Sequence, residues 1–170
     1  GLLWHEIERQ HPASGLTAKV LNFVPADGTP VELMRVTLEN QGPEALDLAP
    51  TAAVPIYGRS ADNLRDHRHV TVLLHRTFCN DYGVMVRPTM SFDERGHKIN
   101  TITYAVLGVD GDGNPPRGFT PLVEDFIGEG GNLAWPGAVL DPPEEMDQAG
   151  CSYAGYESIG ALHFPPIRME

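Results

Sequence analysis

Cysteine is nearly absent from this sequence, which holds only Cys79 and Cys151 among 170 residues and has no CxxC pair. Two cysteines without that spacing exclude a disulfide framework and provide no zinc or dithiol redox motif. No GxSxG segment is present, and neither cysteine has a patterned histidine partner, so no motif for a nucleophilic enzyme is found. We therefore expect two reduced thiols and a cytoplasmic protein.

Positive charge is also scarce. Twelve Lys and Arg residues stand against 23 Asp and Glu residues, which gives a formal net charge of −11. Such a chain repels a nucleic-acid backbone and an anionic lipid surface. No run approaches the roughly 20 apolar residues that a membrane-spanning helix needs. Nucleic acids and membranes are therefore not expected as partners.

Turn-forming residues, by contrast, are plentiful, with 18 Gly and 15 Pro. Apolar and polar residues nearly alternate over Leu16–Val24 and Val31–Leu38, which predicts two half-buried strands. A second hairpin is predicted from His69–Phe78 and Val84–Phe92, with Asn80–Gly83 as its loop. The sequence thus predicts a mainly β protein, an antiparallel β-sandwich with one or two short helices, in a single domain over residues 1–170.

The clearest helix signal lies in the second half of the chain. Thr120 is a candidate capping residue, Pro121 suits the first helical position, and Gly128 is a candidate stop. A helix of about two turns is therefore predicted over Leu122–Ile127.

Two acidic segments imitate functional motifs. The first, Asp110–Asn114, resembles the start of a calcium loop, but Pro115 stands where that loop needs glycine, so an acidic turn is the favoured interpretation. The second holds three carboxylates near one helix end, a residue type that serves as general acid in glycosidic cleavage. For this set a solvated acidic face is favoured; its members are Glu124, Asp125 and Glu129.

The densest polar constellation follows the apolar run that ends at Tyr57. Its mixture of guanidinium, carboxylate, amide and imidazole groups suits sugar hydroxyls or phosphate, so these residues are the substrate-facing candidates. From the residues alone an internal salt-bridge and hydrogen-bond network is the favoured interpretation, and a metal site with His75 is a weaker alternative because no defined ligand spacing is matched. The candidates are Arg59, Asp62, Asn63, Arg65, Asp66, His67, Arg68 and His69.

Four stretches of the chain resemble the amino-terminal domain of 1,2-β-oligoglucan phosphorylases, which belong to glycoside hydrolase family 94. They are Pro55–Arg76 (PIYGRSADNLRDHRHVTVLLHR), Gly83–Tyr104 (GVMVRPTMSFDERGHKINTITY), Glu124–Pro136 (EDFIGEGGNLAWP) and Gly155–Phe164 (GYESIGALHF). The resemblance implies a supersandwich related to galactose mutarotase, and a fragment of a larger enzyme that continues into a catalytic (α/α)6 barrel.

The family reaction is inverting phosphorolysis, in which inorganic phosphate attacks the anomeric carbon and a carboxylic acid protonates the leaving oxygen. In the family that acid is an Asp on the barrel, and no position here matches it, so no catalytic residue, cofactor or metal is assigned. The implied partners are the barrel, a β-glucan oligosaccharide and, in the parent enzyme, a second subunit.

The alternative class is a stand-alone carbohydrate-binding module or a purely structural sandwich. A domain that docks on a barrel is expected to expose a large apolar patch, whereas a free-standing binding module is expected to present a polar groove with aromatic side chains.

Overall fold

A computed structural model describes residues 3–58, 68–93 and 96–170, and these form fourteen strands and three short helices. The strands are β1 (Trp4–His11), β2 (Leu16–Phe23), β3 (Leu33–Asn40), β4 (Leu46–Leu48), β5 (Thr51–Ile56), β6 (Arg76–Asn80), β7 (Gly83–Val86), β8 (Met90–Asp93), β9 (Gly96–Ile99), β10 (Tyr104–Leu107), β11 (Gly118–Leu122), β12 (Ser152–Ala154), β13 (Ser158–His163) and β14 (Ile167–Met169). The helices are α1 (Arg68–Leu73), α2 (Val123–Ile127) and α3 (Gly137–Leu140).

The strands fall into two compact units. One unit runs up to Leu48 and includes Pro166–Glu170, and the other is Ala49–Pro165. The single domain expected over residues 1–170 stays a prediction.

The first unit holds an antiparallel sheet in the order β1-β2-β3 and a ribbon of β4 with β14. The predicted alternating strands are confirmed as β2 and β3, which pair along their whole length from Leu16 opposite Asn40 to Phe23 opposite Leu33. Lys19 on β2 forms a 3.0 Å ion pair with Glu39 on β3. Strand β1 was not predicted, because its residues are exposed throughout and only two of them are large and apolar.

In addition to a two-stranded ribbon of β8 with β9, the second unit holds a sandwich of two antiparallel sheets, one ordered β10-β7-β6-β12 and the other β11-β13-β5. A hydrophobic core joins them, with Val84 and Val86 from β7, Phe119 from β11 and Leu162 from β13. The predicted mainly β, antiparallel β-sandwich with short helices is confirmed.

Strand β13 is buried at all six positions and is the centre of this unit. Its alternate side chains point to opposite faces. Leu162 belongs to the core shared with β7, while Ile159 and Ala161 pack with Phe126 of α2 and Ala138 of α3. The short helices α2 and α3 therefore cover the face of the β11-β13-β5 sheet opposite the core that this sheet shares with β7.

The hairpin predicted around Asn80–Gly83 is confirmed as β6 and β7. The Oδ1 atom of Asn80 accepts hydrogen bonds from the backbone N–H groups of Tyr82 and Gly83 and so closes the turn. The predicted first strand, however, was wrong at its beginning, because Arg68–Leu73 is the helix α1. Its β-branched residues favour a strand locally, so local preference does not predict this helix.

The helix predicted near Leu122–Ile127 is confirmed as α2, and it ends at Gly128 with φ of 68°. The predicted cap was wrong, because Leu122 is the N-cap residue and makes no side-chain capping bond. Strand β11 runs through Thr120 and Pro121, and the Thr120 hydroxyl is hydrogen-bonded to His163 instead. Among the described residues, no helix combines the length and the apolar character needed to cross a membrane.

Replacing Gly160 by alanine tests how closely the two sheets approach. A Cβ atom at Gly160 of β13 would overlap the Cβ and both Cγ atoms of Val106 on β10. We expect Gly160→Ala to lower the free energy of unfolding by about 1–3 kcal/mol, measured by denaturant unfolding of the 170-residue chain. Gly111→Ala is the matched control, since a Cβ there meets nothing within 4 Å. Equal stability of both variants would contradict the close approach.

Candidate functional site

The substrate-facing candidates from the sequence lie mostly outside the described residues. This holds for Arg59, Asp62, Asn63, Arg65, Asp66 and His67. Arg68 and His69 open α1, and their side chains lie outside the described part of the chain. Contact with sugar or phosphate, an internal ion-pair network and a metal site all stay predictions for this segment.

A small cavity lies in the second unit, where β5, α1, α2 and β13 meet. Its volume is about 50 Å³, enough for roughly three or four water-sized groups. The rim includes the exposed side chains of Tyr57 and Leu133, whereas Ile56, His75 and Ser158 are buried. The lining residues are Pro55, Ile56, Tyr57, Gly58, Thr71, Val72, His75, Val123, Leu133, Glu157 and Ser158.

His75 is the most informative group in this cavity. Its side chain is only 4% exposed, yet its Nδ1 atom has no hydrogen-bond partner within the described part of the chain. Burial lowers the pKa of the imidazole, and backbone hydrogen bonds with Tyr156 and Gly58 and the charge of Glu157 oppose that shift only in part. The ring is therefore neutral near pH 7, and its Nδ1 atom makes no hydrogen bond of good geometry within the described part of the chain.

The backbone holds His75 firmly at this position. Its N–H group donates to Val72 O over 2.9 Å, and its carbonyl oxygen accepts from the N–H group of Gly155 over 3.1 Å. Gly58 must lack a side chain here, because a Cβ atom would lie 2.9 Å from Nε2 of His75. Local sequence contains no signal for this site, since α1, β5 and the start of β13 converge on it only in the fold.

The cavity borders a hydrogen bond that joins the two sheets. The hydroxyl groups of Thr77 on β6 and Ser158 on β13 lie 2.6 Å apart, and both residues are buried. A satisfied buried pair of this kind fixes the register of the facing sheets. The wall formed by Ser158 is therefore a rigid part of the site.

His163 provides a contrast to His75 within the same sandwich. Its Nδ1 lies 3.1 Å from the Thr51 hydroxyl and its Nε2 lies 2.8 Å from the Thr120 hydroxyl. Burial lowers its pKa as well, and the Arg117 charge acts in the same direction. Both ring nitrogens are satisfied, so His163 is a structural residue that links β5, β13 and β11.

The two cysteines are free and close together. Cys79 donates its backbone N–H group to Cys151 O over 3.2 Å, and their thiols interact. Burial raises the pKa of both thiols. A raised pKa keeps them protonated at neutral pH and so argues against a nucleophilic thiolate.

The acidic segments have structural explanations. The Asp110 carboxylate accepts hydrogen bonds from the backbone N–H groups of Asp112 and Asn114 and from the Asn114 amide. Its oxygens therefore stabilise the loop itself. The side chains of the second segment are all exposed, as expected for a solvated face; they are Glu124, Asp125 and Glu129. The residues that the structure describes include no cluster of three or more His, Cys, Asp or Glu side chains able to hold a metal ion.

The fold defines a class of protein, an antiparallel β-sandwich domain with short helices. Comparison with protein families identifies that class more closely, because the family described as "Glycosyl hydrolase 94, supersandwich domain" matches residues 5–165. The match spans nearly the whole chain, so the chain belongs to this family. No curated protein matches the chain.

The buried histidines predict how stability depends on pH. Because burial lowers their pKa in the folded state, the unfolded chain binds more protons just below its own histidine pKa of about 6.5. We therefore expect the free energy of unfolding to fall on acidification below about pH 6.5, by at most about 1.4 kcal/mol per pH unit for each histidine, until the folded-state pKa is reached.

His163→Gln tests this expectation in denaturant unfolding at a series of pH values. The variant should be less stable near neutral pH by about 1–3 kcal/mol, because a buried hydrogen bond is lost. Its dependence on pH below about 6.5 should be shallower than that of the parent. If the free energies of unfolding of the variant and the parent change with pH in parallel over the whole range, the pH dependence comes from groups other than His163.

Proposed function

We propose that this chain is the non-catalytic sandwich domain of an inverting β-glucan phosphorylase, which releases α-glucose 1-phosphate from β-1,2-linked glucooligosaccharides. The family membership supports a domain of such an enzyme. The four stretches quoted above support the β-1,2 preference by resemblance. In this proposal inorganic phosphate is the co-substrate, and the general acid belongs to a catalytic (α/α)6 barrel.

The observation that carries the accessory role is an apolar face on the sheet β1-β2-β3. Register places Ile7, Val20 and Val36 side by side across the three strands. Ile7, Met34 and Val36 are exposed by 44%, 52% and 50%. We name this the apolar sheet face; its apolar residues are Ile7, Leu16, Ala18, Val20, Met34, Val36 and Leu38, and the same face also carries His5, Arg9, His11, Asn22 and Asn40.

The opposite face of the same sheet is much more charged. It carries the charged residues Glu6, Glu8, Lys19, Arg35 and Glu39, together with an apolar group at one end, Trp4, Leu21, Phe23 and Leu33. A contiguous apolar surface on a soluble domain usually marks an interaction site. We infer that the apolar sheet face packs against the rest of the parent enzyme, either the barrel or a second subunit. Because both cysteines are free, we expect that enzyme in the cytoplasm.

Phosphate-dependent release of glucose 1-phosphate tests the proposed reaction. The substrate is a linear β-1,2-glucooligosaccharide, and the 170-residue chain is compared with the longest reading frame that contains it. We expect activity only in the longer protein, since no catalytic acid is assigned here. Activity in the shorter chain would contradict the accessory role, and activity in neither would contradict the β-1,2 phosphorolysis.

A pair of lysine substitutions on β3 tests the apolar sheet face. Val36→Lys places a charge on that face, and Thr37→Lys is the matched control on the opposite face, where Thr37 is exposed as well. In the longer protein we expect Val36→Lys to lower the temperature of thermal inactivation by at least about 2 °C relative to the control, because a charge buried at an apolar interface is costly.

In the 170-residue chain the same two variants should have similar stability, since both positions face solvent there. Equal inactivation temperatures in the longer protein would show that the apolar sheet face is not an internal interface of the parent enzyme.

A further inference from the structure

We propose that Cys79 and Cys151 form an oxidative modification site, at which a small disulfide, oxidised glutathione, converts the two thiols into a disulfide bond that joins β6 to β12. Both cysteines are free in the structure, which therefore shows the reduced form. The proposal goes beyond the accessory role and does not rest on it, because it concerns the chemistry of two residues of this chain. Its test is separate from the assay of phosphorolysis.

The strand register places the two cysteines opposite each other. Strands β6 and β12 pair with Phe78 opposite Ser152, so the next position along each strand sets Cys79 opposite Cys151. The N–H group of Cys79 donates to Cys151 O over 3.2 Å, which continues the ladder to this pair. Directly opposite residues have Cα atoms about 4.5–5.5 Å apart, within the range of about 4.4–6.8 Å that a disulfide requires. Their side chains also share one face of the sheet.

A bulge at Gly150 leaves one of the two positions adjustable. The Cys79 carbonyl oxygen accepts from the N–H group of Gly150 over 2.9 Å, while the N–H group of Cys151 donates to Gln148 O over 3.2 Å. Gly150 has φ of 95°, as in the bulge whose first residue is a left-handed glycine. Strand β12 is an edge strand of three residues, so Cys151 can shift towards its partner while β7 holds β6 from the other side.

The two thiols are in contact and differ in exposure. Cys79 is 5% exposed and belongs to the core, whereas Cys151 is half-buried and packs against that core. Burial raises the pKa of both thiols, and the hydrogen bond between them raises the pKa of Cys79 further and opposes the rise at Cys151. Cys151 is therefore the thiol that meets an oxidant and ionises first. Because only the thiolate reacts, the site oxidises slowly and is unsuited to catalytic turnover.

The oxidation proceeds as two exchange steps. Cys151 loses its proton to water, and its thiolate attacks one sulfur of oxidised glutathione, which breaks that S–S bond and releases one glutathione thiolate. Cys79 then loses its proton, and its thiolate attacks the Cys151 sulfur of the mixed disulfide, which releases the second glutathione thiolate. Each released thiolate takes up a proton. Two protein thiols are thus oxidised to one disulfide, and one oxidised glutathione is reduced to two thiols.

The test incubates the native 170-residue chain with oxidised glutathione and follows its intact mass. We expect a monomer that loses two hydrogen atoms and both free thiols, retains no glutathionyl group, and yields a peptide linked between Cys79 and Cys151. Dithiothreitol should reverse the change. The oxidised chain should melt at least about 5 °C above the reduced chain, because the bond closes a long loop and restricts the unfolded state.

Cysteine variants separate exchange in the folded chain from exchange after unfolding. Cys79→Ser should stop at the mixed disulfide on Cys151, and Cys151→Ser should react at least about tenfold more slowly than Cys79→Ser, because its remaining thiol is buried. The matched control combines Cys151→Ser with Ser152→Cys. It keeps two cysteines but moves one to the opposite face of β12, so no bond should form within the chain.

Several outcomes would overturn the proposal. These are unreacted thiols in the native parent chain, a mixed disulfide as its end product, or an oxidised chain that melts no higher than the reduced one. Equally fast disulfide formation in the shifted control would assign the reaction to the unfolded chain and would overturn it as well. If Cys79→Ser fails to fold, the shifted control still decides the question, since it keeps Cys79. Inactivity of the longer protein in phosphorolysis leaves each of these results unaffected.

Discussion

The sandwich depends on the absence of a side chain at Gly160. Strand β13 lies in the middle of its sheet, between β11 and β5, and Val106 of β10 occupies the space above Gly160 where a Cβ atom would stand. This close approach places Leu162 in the core with Val84 and Val86, and it brings Ser158 within 2.6 Å of Thr77. The absence of a methyl group at Gly160 thus permits the short distance between the two facing sheets, and with it the position of the cavity wall at Ser158.

Much of the fold follows from patterns that a sequence displays locally. The alternation in β2 and β3 and the asparagine-closed turn after β6 are short-range signals, and both predictions are confirmed. The errors occur where tertiary contacts compete with local preference. Thr120 and Pro121 form a good helix start in sequence, but His163 engages the threonine hydroxyl and the residues remain in β11.

The site was less predictable than the fold, for a physical reason. The sequence directs attention to charged residues close together in the chain, such as Arg59 and Asp62. The cavity instead is lined by single residues from distant segments. Its most informative atom is Nδ1 of His75, which has no hydrogen-bond partner among the described residues. A missing hydrogen bond has no local sequence signature, because it depends on burial by residues up to 83 positions away, as at Ser158.

The two buried histidines differ in how their ring nitrogens are satisfied. Both lie within the same sandwich, and burial lowers the pKa of both. At His163 threonine hydroxyls meet both ring nitrogens, so the fold is able to satisfy a buried imidazole where its role is structural. At His75 the neighbouring hydroxyl of Ser158 is instead engaged with Thr77, and Nδ1 stays without a described partner beside open space. Because leaving a buried polar group unpaired costs about 1–3 kcal/mol, the two positions differ in how much each imidazole contributes to the stability of the sandwich.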